Sequence, residues 1–168
     1  MRSVIGYTIQ FIAIVALQVL ILNNVELLGY MNPYVYLIFL LILPADINRS
    51  ALLIIGFVLG LSIDIFENSG GLHTSATLLI AFIRPGLFRL IAGPSNTELE
   101  RFNIKTLGVG RFLLLAGITV FIHHFWLFLL ESFSFKDLLQ VIKRTFFSGL
   151  FTLLLIYLMQ LLVYRKEE

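Results

Sequence analysis

Runs of apolar residues alternate with short polar breaks along the whole chain. Residues 4–22 are interrupted only by Gly6, Thr8, Gln10 and Gln18, and a run of about 20 residues is long enough for a helix to cross the hydrocarbon core of a bilayer. No small-residue cleavage pattern follows it and Arg2 is its one positive flank, so it reads as a retained first helix rather than a cleaved leader. Asn23-Asn24 and Asn32-Pro33 bracket a turn, and Pro33 suits the first turn of a second segment, 34–44, which stops at Pro44 and is short for a crossing. A third run, 51–66, follows Asp46, Asn48, Arg49 and Ser50, with Asp46 or Ser50 available as its N-cap. After the turn 67–71 comes a fourth run, 72–91, which contains Arg84-Pro85. Proline removes a helical hydrogen bond, so the spanning part is expected to end near Arg84. A fifth run covers 109–130. A sixth covers 138–164 and opens with an amphipathic piece holding Lys143 and Arg144, which are expected to snorkel from an interfacial position. Residues 93–108 form the longest polar loop.

This layout predicts an all-α, polytopic membrane bundle of about six transmembrane helices, built as a single domain over residues 1–168, with no internal repeat and no linker. Composition agrees: 59% of residues are hydrophobic and 13% charged, against about 25% charged in soluble domains. The absence of cysteine excludes disulfides, cysteine-ligated zinc and thiol chemistry. A net charge of +2 without a basic, aromatic-laced patch argues against nucleic acid as a partner. With the N-terminus inside, nine cations (Arg2, Arg49, Arg84, Arg89, Arg101, Lys105, Arg111, Arg165 and Lys166) face the cytoplasm and three (Lys136, Lys143 and Arg144) face out, which predicts cytoplasmic N- and C-termini.

Charged groups within spans carry a cost and call for a role. Gly56, Gly60, Asp64 and Glu67 fall at helical spacing on one face of the third helix. Gly56-x-x-x-Gly60 permits close approach of a neighbouring helix, and the plainer role for Asp64 is to cap the following turn or the fourth helix. Asp64, Glu67, His73, His123, His124 and Glu131 all lie toward the outer face in this orientation and form a candidate polar cluster. Such groups can hold zinc or shuttle protons, yet no H-E-x-x-H spacing is present. Adjacent histidines point about 100° apart on a helix, so at most one of His123 and His124 is expected to face a given site. No Walker A loop, nucleophile elbow or Ser-x-x-Lys pair occurs, so no enzyme activity, cofactor or metal is expected. Tyr30, Tyr34, Tyr36, Trp126 and Tyr164 near span ends suit an interfacial belt.

Gly60-Leu61-Ser62-Ile63-Asp64 closing one helix and Gly71-Leu72-His73-Thr74-Ser75-Ala76 opening the next, with Asn32-Pro33 and Pro44 about the short second segment, resemble the MreD family of bacterial rod-shape-determining membrane proteins. Thr74 stands where that family often has Ala, and the second half of the chain matches in hydropathy alone. The resemblance implies a bundle similar to the substrate-binding subunit of energy-coupling-factor transporters. It also implies a non-enzymatic inner-membrane component of the cell-elongation complex, acting on cell shape and lateral peptidoglycan synthesis. Its partners would be MreC, MreB, RodA and the cognate transpeptidase, with membrane lipid or a second copy of the chain against its lateral faces. Glu98, Glu100, Arg101 and Lys105 would form a cytoplasmic partner loop. Gly60, Asp64, Gly71 and His73 carry the motif and are expected to fix the turn between the third and fourth helices and to border a periplasm-facing pocket. The runner-up is a substrate-binding subunit of a small-molecule (vitamin) transporter, and the third reading is an intramembrane hydrolase using Glu67, Glu131 and the histidines.

Overall fold

The computed structural model describes residues 4–25, 31–93, 104–133 and 137–166, and no strand occurs among them. Helix α1 (Val4–Leu20) closes with a 3-10 turn at Leu22–Asn24, and a second 3-10 turn, Val35–Leu37, runs into the short α2 (Ile38–Ile42). The remaining helices are α3 (Arg49–Glu67), α4 (Leu72–Ala92), α5 (Ile104–Leu107), α6 (Val109–Ser132) and α7 (Leu138–Lys166). Five stretches, Val4–Asn24, Arg49–Glu67, Leu72–Ile91, Val109–Ser132 and Leu138–Leu162, are long and apolar enough to cross a membrane. That is the character of a multi-pass membrane protein. Ile54, Phe82, Leu90 and Leu162, all more than 60% exposed, fit an apolar solvent.

The second hydrophobic segment is not a sixth long helix. Pro33 lies ahead of its helical part instead of inside the first turn, and Leu43 is extended (ψ 151°) before Pro44, as the ring of a following proline requires. What remains is two short helical turns between non-helical ends. Val35 through Leu41 are each at most 3% exposed, so the segment is the core around which the long helices stand. Tyr34 and Tyr36, expected at the membrane interface, are instead 5% and 0% exposed in this core. Irregular backbone at membrane depth is tolerated only where protein covers it. Gln18, near the end of α1, meets Pro33 and Tyr36, whereas Arg84 of α4 meets Leu43 and Pro44. The segment therefore runs antiparallel to α1 and alongside α4.

Other expectations change in detail. Helix α4 continues through Pro85 to Ala92, with Ala81 and Phe88 buried on either side of the proline, so packing holds the helix past its missing hydrogen bond. Asn48 caps α3, accepting from the Ser50 N–H at 2.8 Å, in place of Asp46 or Ser50. Helix α7 is continuous from Leu138, without a separate interfacial piece. Its Arg144 does not snorkel alone: it pairs with Glu131 at 3.0 Å and lies 4.2 Å from the Phe128 ring centre. Part of the 93–108 loop folds as α5, with Ile104 and Leu107 buried and Lys105 exposed. Glu98, Glu100 and Arg101 lie outside the described residues.

Helices α3 and α4 touch backbone to backbone. A Cβ on Gly60 would stand 2.5 Å from Thr74 Cα and 2.8 Å from the His73 carbonyl oxygen, and one on Gly56 would stand 2.8 Å from Ala81 Cβ. Close packing of this kind drives association where no hydrophobic gain is available. Gly60→Ala is expected to cost about 1–3 kcal/mol by overpacking, whereas Gly86→Ala, which meets nothing within 4 Å, is expected to cost nothing. Reversible unfolding in detergent checks this, and equal stability of the two variants would remove the close α3–α4 contact.

Candidate functional site: a polar core around the central segment

The turn from α3 to α4 is built by left-handed residues, Asn68 (φ 53°), Gly70 (φ 64°) and Gly71 (φ 96°). Gly71 occupies the N-cap of α4 and has no side chain with which to cap it. Asp64, one turn before the end of α3, supplies the cap instead. Its Oδ1 accepts the His73 N–H at 2.9 Å and the Ser69 hydroxyl at 2.5 Å. Its Oδ2 accepts the Thr74 N–H at 2.8 Å and, at short range, the Thr74 hydroxyl. A carboxylate here satisfies N–H groups that a helix start otherwise leaves unpaired, and it sits at the favourable end of the helix dipole. Gly60, Asp64, Gly71 and His73 thus come together as one joint. Asp64 is 5% and His73 2% exposed, which places them inside the joint and not on the wall of an open pocket.

From this joint a line of polar groups enters the core. Glu67 Oε2 lies 2.7 Å from His73 Nε2, His73 Nδ1 lies 3.0 Å from the Tyr36 hydroxyl, and that hydroxyl lies 2.8 Å from His123 Nε2. Thr77 donates to the His73 carbonyl at 2.6 Å, and its hydroxyl lies 3.4 Å from that of Tyr36. His124 belongs to a neighbouring set. Its Nδ1 bonds the Val120 carbonyl at 2.8 Å and so carries the hydrogen, leaving Nε2 to accept from Thr152 at 3.1 Å. The Tyr34 ring stands between the two sets, with ring centres 4.8 Å from His73 and 5.2 Å from His124. Both adjacent histidines are therefore fully buried, each in its own set, with only His123 facing Tyr36 and His73. The 100° between them lets each meet a different partner, His123 the Tyr36 hydroxyl of the central segment and His124 the Thr152 hydroxyl of α7. Glu131 does not join: it is held by Arg144, away from the histidines.

A third group of side chains, not recognised in the sequence, bonds the irregular backbone of the segment. Gln18 donates to the Pro33 carbonyl at 2.9 Å and accepts the Tyr36 N–H at 3.2 Å. Ser148 accepts the Asn32 N–H at 3.2 Å and Thr152 the Tyr34 N–H at 3.1 Å. Arg84, 2% exposed, donates to the Leu43 carbonyl at short range and to the Pro44 carbonyl at 3.2 and 3.3 Å. The signal for these residues was present: Gln18 and Arg84 interrupt apolar runs, and Ser148 and Thr152 stand four apart on one face of α7. Among the described residues no group of three or more His, Asp or Glu side chains is arranged to hold a metal ion.

Gln18→Leu strands two buried backbone groups and is expected to lower stability by about 1–3 kcal/mol for each. Gln10→Leu is the control, because Gln10 Oε1 has no partner among the described residues, and is expected to be neutral. Chemical denaturation of both variants in detergent measures the difference, and equal midpoints would remove Gln18 from its bonding role. No family model matches this chain, and comparison with curated proteins and with solved structures gave no match.

Proposed function

We propose that this chain is a non-enzymatic inner-membrane component of the bacterial cell-elongation complex, of the MreD kind, which helps control cell shape and lateral peptidoglycan synthesis by binding MreC. The observation that carries the reading is the α3–α4 joint. The residues on which the resemblance stands, Gly60, Asp64, Gly71 and His73, act there together to seat one helix on the next. This supports a scaffold role for the motif over a catalytic one.

A scaffold works through its faces. The interior of the bundle is filled by the chain's own segment, with Tyr36, Leu37, Leu40 and Leu41 all 0% exposed, which supports this reading over a carrier that encloses a vitamin-sized ligand. On the lateral surface a groove of about 470 Å³ opens between α1, α2 and α3, lined by Tyr7, Phe11, Phe39, Ile47, Ile55 and Val58 among others. Its apolar wall suits side chains of a transmembrane helix such as that of MreC, or of lipid. The central segment serves as the sixth pass of a bundle similar to the substrate-binding subunits of energy-coupling-factor transporters. Both termini then lie in the cytoplasm, on the side that carries Arg49, Arg89, Lys105 and Arg111. Glu98, Glu100, Arg101 and Lys105 are the candidate contact residues for the complex's cytoplasmic partners, and MreB, RodA and the cognate transpeptidase are further members of that complex.

Depletion of the protein in its native bacterium, with cell shape imaged and MreC co-purification scored in the same cells, tests the proposal. Rounded or swollen cells together with recovery of MreC are expected. Normal shape without MreC would overturn the reading and direct attention to ligand screening for a transporter subunit, where a bound metabolite would reveal itself by thermal stabilisation.

A further inference from the structure

Helices α3 and α4 touch at Gly60 and Gly56, and toward the Arg49 end of α3 they border a cleft of about 440 Å³. Leu52, Leu53, Phe82, Pro85 and Gly86 line it, and Arg49 is the one charged residue of its lining. We propose that this cleft binds a single membrane phospholipid of net negative charge, with the lipid phosphate on Arg49 and an acyl chain along the apolar walls. The site needs only the multi-pass character of the chain and is independent of the elongation-complex reading.

The sequence makes the cleft by what α4 leaves out. Pro85 and Gly86 bring little side chain to that wall, and a Cβ on Gly86 would meet nothing within 4 Å. Leu52 of α3, 1% exposed, lies at the bottom, whereas Phe82, 74% exposed, stands at the edge. Ala81, against which Gly56 packs, closes the end nearer the bilayer middle. From Arg49 to that closure is seven residues of α3, or about 10 Å along the helix axis. A cleft with a cation at its mouth and apolar walls running inward along the helices has the polarity of a lipid: headgroup at the surface, tail toward the middle.

Charge selects the headgroup. Arg49 opens a stretch long and apolar enough to cross a membrane, which puts its guanidinium at headgroup depth. Arg89 follows Phe82, Pro85 and Gly86 at helical spacing, one turn nearer the water on the same face of α4. Both side chains are exposed, and neither makes a hydrogen bond or ion pair among the described residues. Arg84, by contrast, turns inward to the Leu43 and Pro44 carbonyls, and Asp46, the nearest acid in sequence, does not line the cleft. Guanidinium groups give paired N–H donors that suit a phosphate diester. A partner helix would have to bring acids to this depth, whereas every phospholipid already carries its phosphate there. A choline headgroup places a cation of its own beside the phosphate, so the arginines favour the net-anionic lipid.

Native mass spectrometry of the full-length protein in detergent, titrated with phosphatidylglycerol or with phosphatidylcholine of the same chains, tests the site. The first phosphatidylglycerol is expected to bind at least about fivefold more tightly than the first phosphatidylcholine, the weight of one arginine near anionic lipid. Arg49→Gln is expected to cut that preference to about twofold or less. Gly86→Leu fills the cleft from a position with open space above it and is expected to weaken both lipids by at least about threefold. Arg111→Gln removes the same charge from α6, which does not line the cleft, and is expected to change nothing. A wild-type protein without the preference, a preference kept in Arg49→Gln or lost equally in Arg111→Gln, or lipid binding unchanged in Gly86→Leu would each overturn the site. A dimer that Gly86→Leu dissolves would give the cleft to a second copy of the chain and overturn it too. Melting at the wild-type temperature shows that a variant is folded, and if Gly86→Leu fails this, Arg49→Gln against Arg111→Gln decides the matter alone.

Discussion

The structure depends on one requirement: backbone that is not helical cannot stay unbonded in an apolar interior. The stretch from Asn32 to Pro44 breaks this rule unless its neighbours supply partners, because its ends are not helical and its middle is only two short helical turns. Those partners are side chains from three different helices: Gln18 from α1, Arg84 from α4, and Ser148 and Thr152 from α7. Each is a polar residue in a segment that would cross a bilayer more readily without it. Their positions make sense together, as the lining of a channel whose content is the protein's own chain.

The α3–α4 pair provides the fixed wall against which this arrangement is built. Gly60 lets the two backbones meet, and only at that separation does the Asp64 carboxylate span from α3 to the first N–H groups of α4. The joint in turn orients His73, whose backbone is bonded to Asp64 and whose ring is held between Glu67 and Tyr36. Packing at a glycine, capping by an acid and placement of a core histidine are thus successive consequences of one close approach.

The long helices were legible in the sequence because each is a long apolar run with polar punctuation, and a run of that length has few other fates. Helical spacing also identified the Gly56, Gly60, Asp64 and Glu67 face, and the capping role of Asp64 follows from its position near a helix end. The second segment was not legible in the same way. Hydropathy counts apolar side chains, and 34–44 is as apolar as any span, but Pro33 and Pro44 decide its backbone and so turn it from a crossing helix into a core. Once it moved inside, Tyr34 and Tyr36 moved with it, and both His123 and His124 acquired partners that no helical wheel of α6 alone contains. The Glu131–Arg144 pair was hidden for another reason: its members are on different helices, α6 and α7.

Tyr36 is held twice, by independent means. Its main-chain N–H belongs to Gln18 of α1, while its hydroxyl belongs to His73 of α4 and His123 of α6. A single residue therefore acts as a strut between α1, the least enclosed long helix, and the pair α4 and α6. A sideways load on α1, such as a neighbouring helix leaning against it, cannot be absorbed by α1 alone. It must either stretch the Gln18 contact or pull on the phenol, so mechanical displacement at the rim of the bundle becomes a change in hydrogen-bond geometry at its centre.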